Sequence, residues 1–131
     1  MKKTYLRRRK PMRRVSTRHK SVRAVDKLFR NVLLSERGSV CEWCKREGQV
    51  QVSHILNKGS YPRSRFHRQN VLLLCMRCHL FKWHRDPLAA NKWLAEYKGA
   101  DYYDKLRAID RLSRKVDLAL LKTAFEQEAK Q

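Results

Sequence analysis

Between Val22 and Leu34, apolar side chains recur at Val22, Val25, Leu28, Phe29, Val32 and Leu33, a helical period that leaves one stripe to bury. Ser21 stands where an N-cap would, and Gly38 closes the unit. The period then changes. Residues 49–55, QVQVSHI, alternate and predict a short strand with Val50, Val52 and His54 on one face. Residues 56–69 carry turn formers and charges without a period, which predicts a loop. NVLLLC, residues 70–75, reads as a second, buried strand, and MRCHLFKWH, residues 76–84, as a helix.

Helical signals resume at Asp86-Pro87, an N-cap followed by a first-turn proline, and run to Gly99. Asp101, with Asp104 three residues on, resembles a capping box for a helix through Leu112. A last helix is expected from Ser113 to Glu128. Trp83, Trp93, Leu94 and Tyr97 fall at helical spacings and read as core. The apolar face of the last helix, with Val116, Leu120, Leu121 and Phe125, either packs on the first helix or forms a homodimer seam. The expected class is α+β: a small strand–loop–strand–helix centre (39–86) with flanking helices over 22–35 and 87–128, in one domain over 22–131.

Charge changes this picture. The chain has 131 residues, 32 Lys and Arg against 12 Asp and Glu, and a net charge of +20. Such an excess suits a polyanion, because each cation placed at a phosphate releases condensed counterions. Eleven of the basic residues, among them Arg7, Arg8 and Arg9, lie in residues 1–23, which hold no acid. Residues 1–21 therefore read as a flexible, disordered basic arm that orders on nucleic acid. No apolar run approaches the roughly 18–20 residues that span a bilayer, so no membrane association is expected. The charged start lacks the apolar segment of a signal peptide, and a cytoplasmic location is expected.

In a reducing compartment disulfides are disfavoured. All four cysteines fall into two Cys-x-x-Cys pairs, Cys41/Cys44 and Cys75/Cys78. Four thiolates on two such turns suit a closed tetrahedral Zn²⁺ site. A redox dithiol would use one pair, so a structural zinc clip is the expectation.

His54, Asn70 and His79 remain unexplained by the clip. If the two knuckles are stapled together, these side chains can converge on one groove. A neutral imidazole can take a proton from water attacking a phosphodiester. A helical histidine can hold a divalent ion such as Mg²⁺, and an asparagine can orient the base or support the metal site. Each also has an ordinary structural reading: a half-buried strand histidine, a turn asparagine, a helix-capping histidine.

The series C-x₂-C, SHI, QN and C-x₂-CH-x₂-K resembles the zinc-stapled HNH nucleases, whose ββα-metal core has the same strand–loop–strand–helix order. Within that group, SRFHRQNVLLLCMRCHLFKWH and the basic start resemble the bacteriophage NinG recombination proteins. The resemblance covers Cys41 to Asp86. It implies a metal-dependent endonuclease that cuts or nicks DNA, branched or single-stranded, in the bacterial host. It implies His54 as general base, Asn70 as the middle asparagine and His79 as ligand to the catalytic ion. Where many such enzymes place an acidic ligand before the base, this chain has Ser53, so His84 and His67 stand as further candidate ligands. Lys58, Arg63, Arg65 and Arg68 would clamp the backbone, and Tyr61 and Phe66 could stack on a base. The alternative is a non-catalytic zinc-containing nucleic-acid module, a recombination accessory or ribosome-associated protein, which Ser53 favours.

Overall fold

The computed structural model describes residues 11–14 and 16–131. Of the expected arm, Arg7, Arg8 and Arg9 thus lie outside the described residues. Helix α1 spans Thr17–Arg37, beginning five residues before the expected Val22. Ser16, not Ser21, is the cap, its hydroxyl accepting the His19 amide at 3.2 Å. Ser21 lies one turn inside and donates to the Thr17 carbonyl. No glycine or proline interrupts residues 17–37, so the turn that starts at Ser16 propagates into the apolar stripe. At Gly38 the backbone takes φ 76°, open to glycine at little cost, and its N–H closes on Leu34.

Strands β1 (Gln51–His54) and β2 (Val71–Leu74) pair antiparallel, with Ser53 opposite Leu72 and His54 opposite Val71. All four residues of β2 are buried. Strand alternation turns Ser53 inward and leaves Val52 and His54 on the half-exposed face. Val50, expected on that face, precedes the strand and is buried instead. The connecting loop contains two short 3₁₀ turns, Pro62–Ser64 and Arg68–Asn70.

After β2 the chain enters a helix whose Cys78–His84 portion is π-helical. Helix α2 (Pro87–Lys98) has the expected cap, Asp86 accepting the Ala89 amide at 3.2 Å, and ends at Gly99. Helix α3 is Tyr102–Leu112, but the Asp101 side chain caps nothing and pairs with Lys105 instead. The expected helix from Ser113 starts late, as α4 (Leu118–Ala129). Ser113 adopts an extended conformation, and its hydroxyl turns back to the Ile109 carbonyl. Asp117 then caps α4 through the Leu120 amide at 3.1 Å.

The architecture is α+β, a two-stranded sheet surrounded by helices. The core joins Val25, Phe29 and Leu33 of α1 to β2, Leu94, Leu106 and Phe125. Each such side chain contributes about 1.5–3 kcal/mol on burial. Phe125 stacks on Phe29 at 5.4 Å between centroids, so the apolar face of α4 packs on α1. Phe66 meets Phe29 edge-on at 5.7 Å and is only 6% exposed. It is a core residue and is not available to stack on a base. Trp83 and Leu94 are buried as expected, whereas Tyr97 is exposed. Among the described residues, no helix is long and apolar enough to cross a membrane.

Candidate metal centre and histidine site

The first cysteine turn is closed by Lys45, whose φ of 63° lets its amide reach the Cys41 carbonyl at 2.9 Å. The second forms where β2 turns into the helix, with the Cys78 amide donating to Cys75 Sγ at 3.5 Å. Glu42 ties the first turn to the sheet: its backbone N–H reaches Leu73 O, and its carboxylate accepts from the Leu73 amide, Arg37 and Tyr97. The four sulfurs lie within 4.8 Å of one another, and Cys44 Sγ to Cys75 Sγ is 3.8 Å. Bonds of about 2.3 Å to a central ion would give tetrahedral edges of about 3.8 Å, so the cluster is compatible with zinc.

Thiol acidity fits the same picture. Burial pushes the Cys41 thiol up, but N–H groups of Cys44, Cys75 and Trp43 outweigh it and lower it to about 7. Burial and the neighbouring sulfurs push Cys78 strongly upward. A thiolate forms readily at Cys41, whereas one at Cys78 needs a cation beside it. Trp43 of the first turn stacks on Trp93 of α2 at 4.4 Å, with the Lys82 ammonium over its ring.

His79 and His84 meet at 2.8 Å between Nε2 atoms. In an α-helix, residues five apart diverge by about 140° at 3.6 residues per turn. The π-helical widening reduces that divergence enough for the two rings to meet. The Nδ1 of His79 lies 2.5 Å from Gln51 Oε1 on β1. Because the amide oxygen only accepts, Nδ1 carries the proton and Nε2 holds a lone pair. A divalent ion bound at about 2.0–2.1 Å would separate two adjacent octahedral or tetrahedral nitrogens by about 3–3.4 Å, close to the observed spacing. Burial lowers the His79 pKa, and His84 and Lys58 lower it further.

His54 is half-buried at the end of β1, its Nε2 2.8 Å from the Arg65 carbonyl. The carbonyl again only accepts, so Nε2–H donates and Nδ1 is the free base. Burial depresses its pKa; the Arg65 hydrogen bond opposes this, while the Lys58 and Arg65 cations reinforce it. Lys58 therefore acts electrostatically on both His54 and His79. His54 and Lys58 line a cavity of about 530 Å³ between α1 and β1, together with Asp26, Arg30, Gln51 and Val52.

Asn70 lies in the core and acts on the loop. Only 1% exposed, it accepts from the Leu56 amide at 2.7 Å and donates to the carbonyls of Leu56 and Ser64, each at 3.1 Å. It clamps the loop whose next residue, Arg65, holds His54, and no side-chain polar group is left for an ion or water. His67 is not brought to the histidine pair; it sits beside Ser113, 3.4 Å from its hydroxyl. Ser53 is buried on the core side with an unpartnered hydroxyl, so an acid at this position would be buried rather than aimed at an ion.

The arginine clamp is redirected as well. Arg65 forms a double hydrogen bond with Asp26, Arg68 pairs with Glu36 and Glu128, and Arg63 reaches the Ser113 carbonyl at 3.3 Å. These side chains bolt the loop to α1, α4 and the end of α3. Of the expected set, Lys58 and Arg63 are exposed and without an ion pair among the described residues, and Lys58 is the one that lines the cavity with His54. Gln51 escaped the sequence reading because one glutamine at a strand position carries no periodic or spacing signal. Among the described residues, the cysteine quartet is the only cluster of three or more His, Cys, Asp or Glu ligands. No protein family, curated protein or solved structure matches the chain.

Proposed function

We propose that the protein is a metal-dependent endonuclease of HNH type that cuts or nicks DNA phosphodiesters, with its four cysteines holding a structural zinc. The observation that carries this reading is His54: a neutral imidazole, oriented by Arg65 through Nε2, presents an unprotonated Nδ1 beside the Lys58 ammonium. That is the arrangement a general base needs near neutral pH.

His54 Nδ1 takes the proton from the attacking water as its oxygen bonds to phosphorus and the P–O ester bond breaks. Lys58 holds the phosphate against this face. Asn70 keeps the 55–70 loop, and hence the Arg65 carbonyl, in register. His79 and His84, with Gln51 holding the His79 tautomer, would bind a divalent ion. Such an ion, when bound, supplies charge neutralisation at the phosphate and the departing oxygen. Imidazole pairs favour Co²⁺, Ni²⁺ or Zn²⁺ over Mg²⁺, a hard ion that prefers oxygen. Ser53, buried opposite Leu72, does not weigh for the non-catalytic alternative.

The test is conversion of supercoiled plasmid to nicked or linear forms with Mg²⁺, Mn²⁺, Co²⁺ or Ni²⁺, comparing wild type with His54→Gln. Glutamine keeps a donor for Arg65 but has no basic nitrogen. Cleavage that disappears in the variant while zinc content and circular dichroism stay unchanged supports the reading. A wild type that never cuts, or a variant that cuts equally, refutes it.

A further inference from the structure

Lys58 lines more than the cavity of His54. The same lysine lines a second cavity of about 570 Å³, between the start of α1, the 55–70 loop and the segment entering α4. Its walls carry Arg18, Arg65 and Lys115 over an apolar lining that includes Val22 and Val116. Two acids line the two cavities, and both are engaged: Asp26 with Arg65, Asp117 in capping α4. Arg18, Lys58 and Lys115 form no ion pair among the described residues. Two concave, cationic cavities thus share Lys58, and joined they would make a channel leading away from His54.

We infer that this channel binds one DNA strand, carrying it from the phosphate at His54 past Lys58 to Arg18 and Lys115. The inference rests on the nuclease reading only in naming DNA as the polyanion. Size favours a single strand. Cavities of about 530 and 570 Å³ do not admit a duplex, whose major groove alone is about 12 Å wide. A flexible strand can follow a groove with its phosphates on cations and its sugars and bases on apolar walls. Val22 and Val116 offer such walls between the free cations.

The experiment measures the salt dependence of binding to a fluorescent oligothymidylate of about 16 nucleotides, the upper end of single-strand sites. It uses zinc-loaded protein without added Mg²⁺, Mn²⁺, Co²⁺ or Ni²⁺, so that binding is read apart from cleavage. Wild type is compared with the Arg18→Gln/Lys115→Gln double variant on this strand and on a duplex of equal length. Each lost contact to a single strand removes about 0.7 from the slope of log K against log salt, so the double variant should lose about 1.4. The duplex slope should not change. An unchanged single-strand slope, or an equal fall on the duplex, overturns the inference. A protein that shows the expected fall yet never cuts plasmid keeps the strand channel and loses the nuclease reading. One that cuts without the fall does the reverse.

Discussion

His79 and His84 face each other across one π-helical turn with their Nε2 atoms 2.8 Å apart. One ring must donate and the other accept in the metal-free protein, and Gln51 on the His79 Nδ1 fixes His79 as the acceptor. A divalent ion between them needs only that the His84 proton move to its other nitrogen. Calorimetric titration of zinc-loaded protein with Ni²⁺ should therefore show one further site. His84→Ala should abolish it, and Gln51→Leu should weaken it roughly tenfold through loss of the supporting hydrogen bond. Equal Ni²⁺ affinity in wild type and His84→Ala would exclude this pair as the ion site.

Asn70 should behave as a positioning residue. Truncation to alanine leaves the buried N–H and C=O of Leu56 without partners, while the Ser64 carbonyl keeps the His67 amide. Unsatisfied buried groups cost about 1–3 kcal/mol each, so Asn70→Ala should lower unfolding free energy by about 3 kcal/mol in urea and speed amide exchange across the 55–66 loop. A variant of unchanged stability that nevertheless lost cleavage would instead put Asn70 in contact with substrate.

Removal of one zinc ligand should be more severe. A structural zinc contributes an apparent 10–16 kcal/mol or so near neutral pH, comparable to the roughly 5–15 kcal/mol of a whole domain. Cys75→Ser should lose its zinc by elemental analysis and its cooperative thermal transition. Full zinc content with an intact transition would rule out the four-sulfur clip.

The pH response follows from the depressed histidines. Both His54 and His79 lie below the ordinary value of 6.5. As pH falls below 6.5, the unfolded chain takes up these protons before the folded one, so folding stability declines across that window. Above 6.5 both states are neutral and the contribution is complete. Urea midpoints should fall between pH 7 and pH 5, and His54→Gln should fall less steeply than wild type. Cleavage should persist to lower pH than a base at the ordinary value of 6.5 would allow, because burial favours the neutral imidazole of His54. An unaltered pH slope in His54→Gln would contradict the burial of a neutral imidazole.

Local signals carried the features that depend on neighbours a few residues away. Asp86-Pro87 and Gly99 bound α2, the alternation before His54 marks β1, and the spacing of four cysteines marks the cluster. Each is set by backbone chemistry within a turn or two, where few competing partners exist. The destinations of polar side chains depended on segments far apart in the chain. Arg65 and Arg68 read as free phosphate contacts until α1 and α4 supplied Asp26, Glu36 and Glu128. Asn70 turned inward because the loop it closes offers buried amides that must be paired. His84 joined His79 only through a π-helical register, which a helical wheel at 3.6 residues per turn does not contain. The sequence by itself determined the order of the elements and the cysteine cluster; only the tertiary structure decided which charges are spent on the fold and which, like Lys58, still face solvent beside His54.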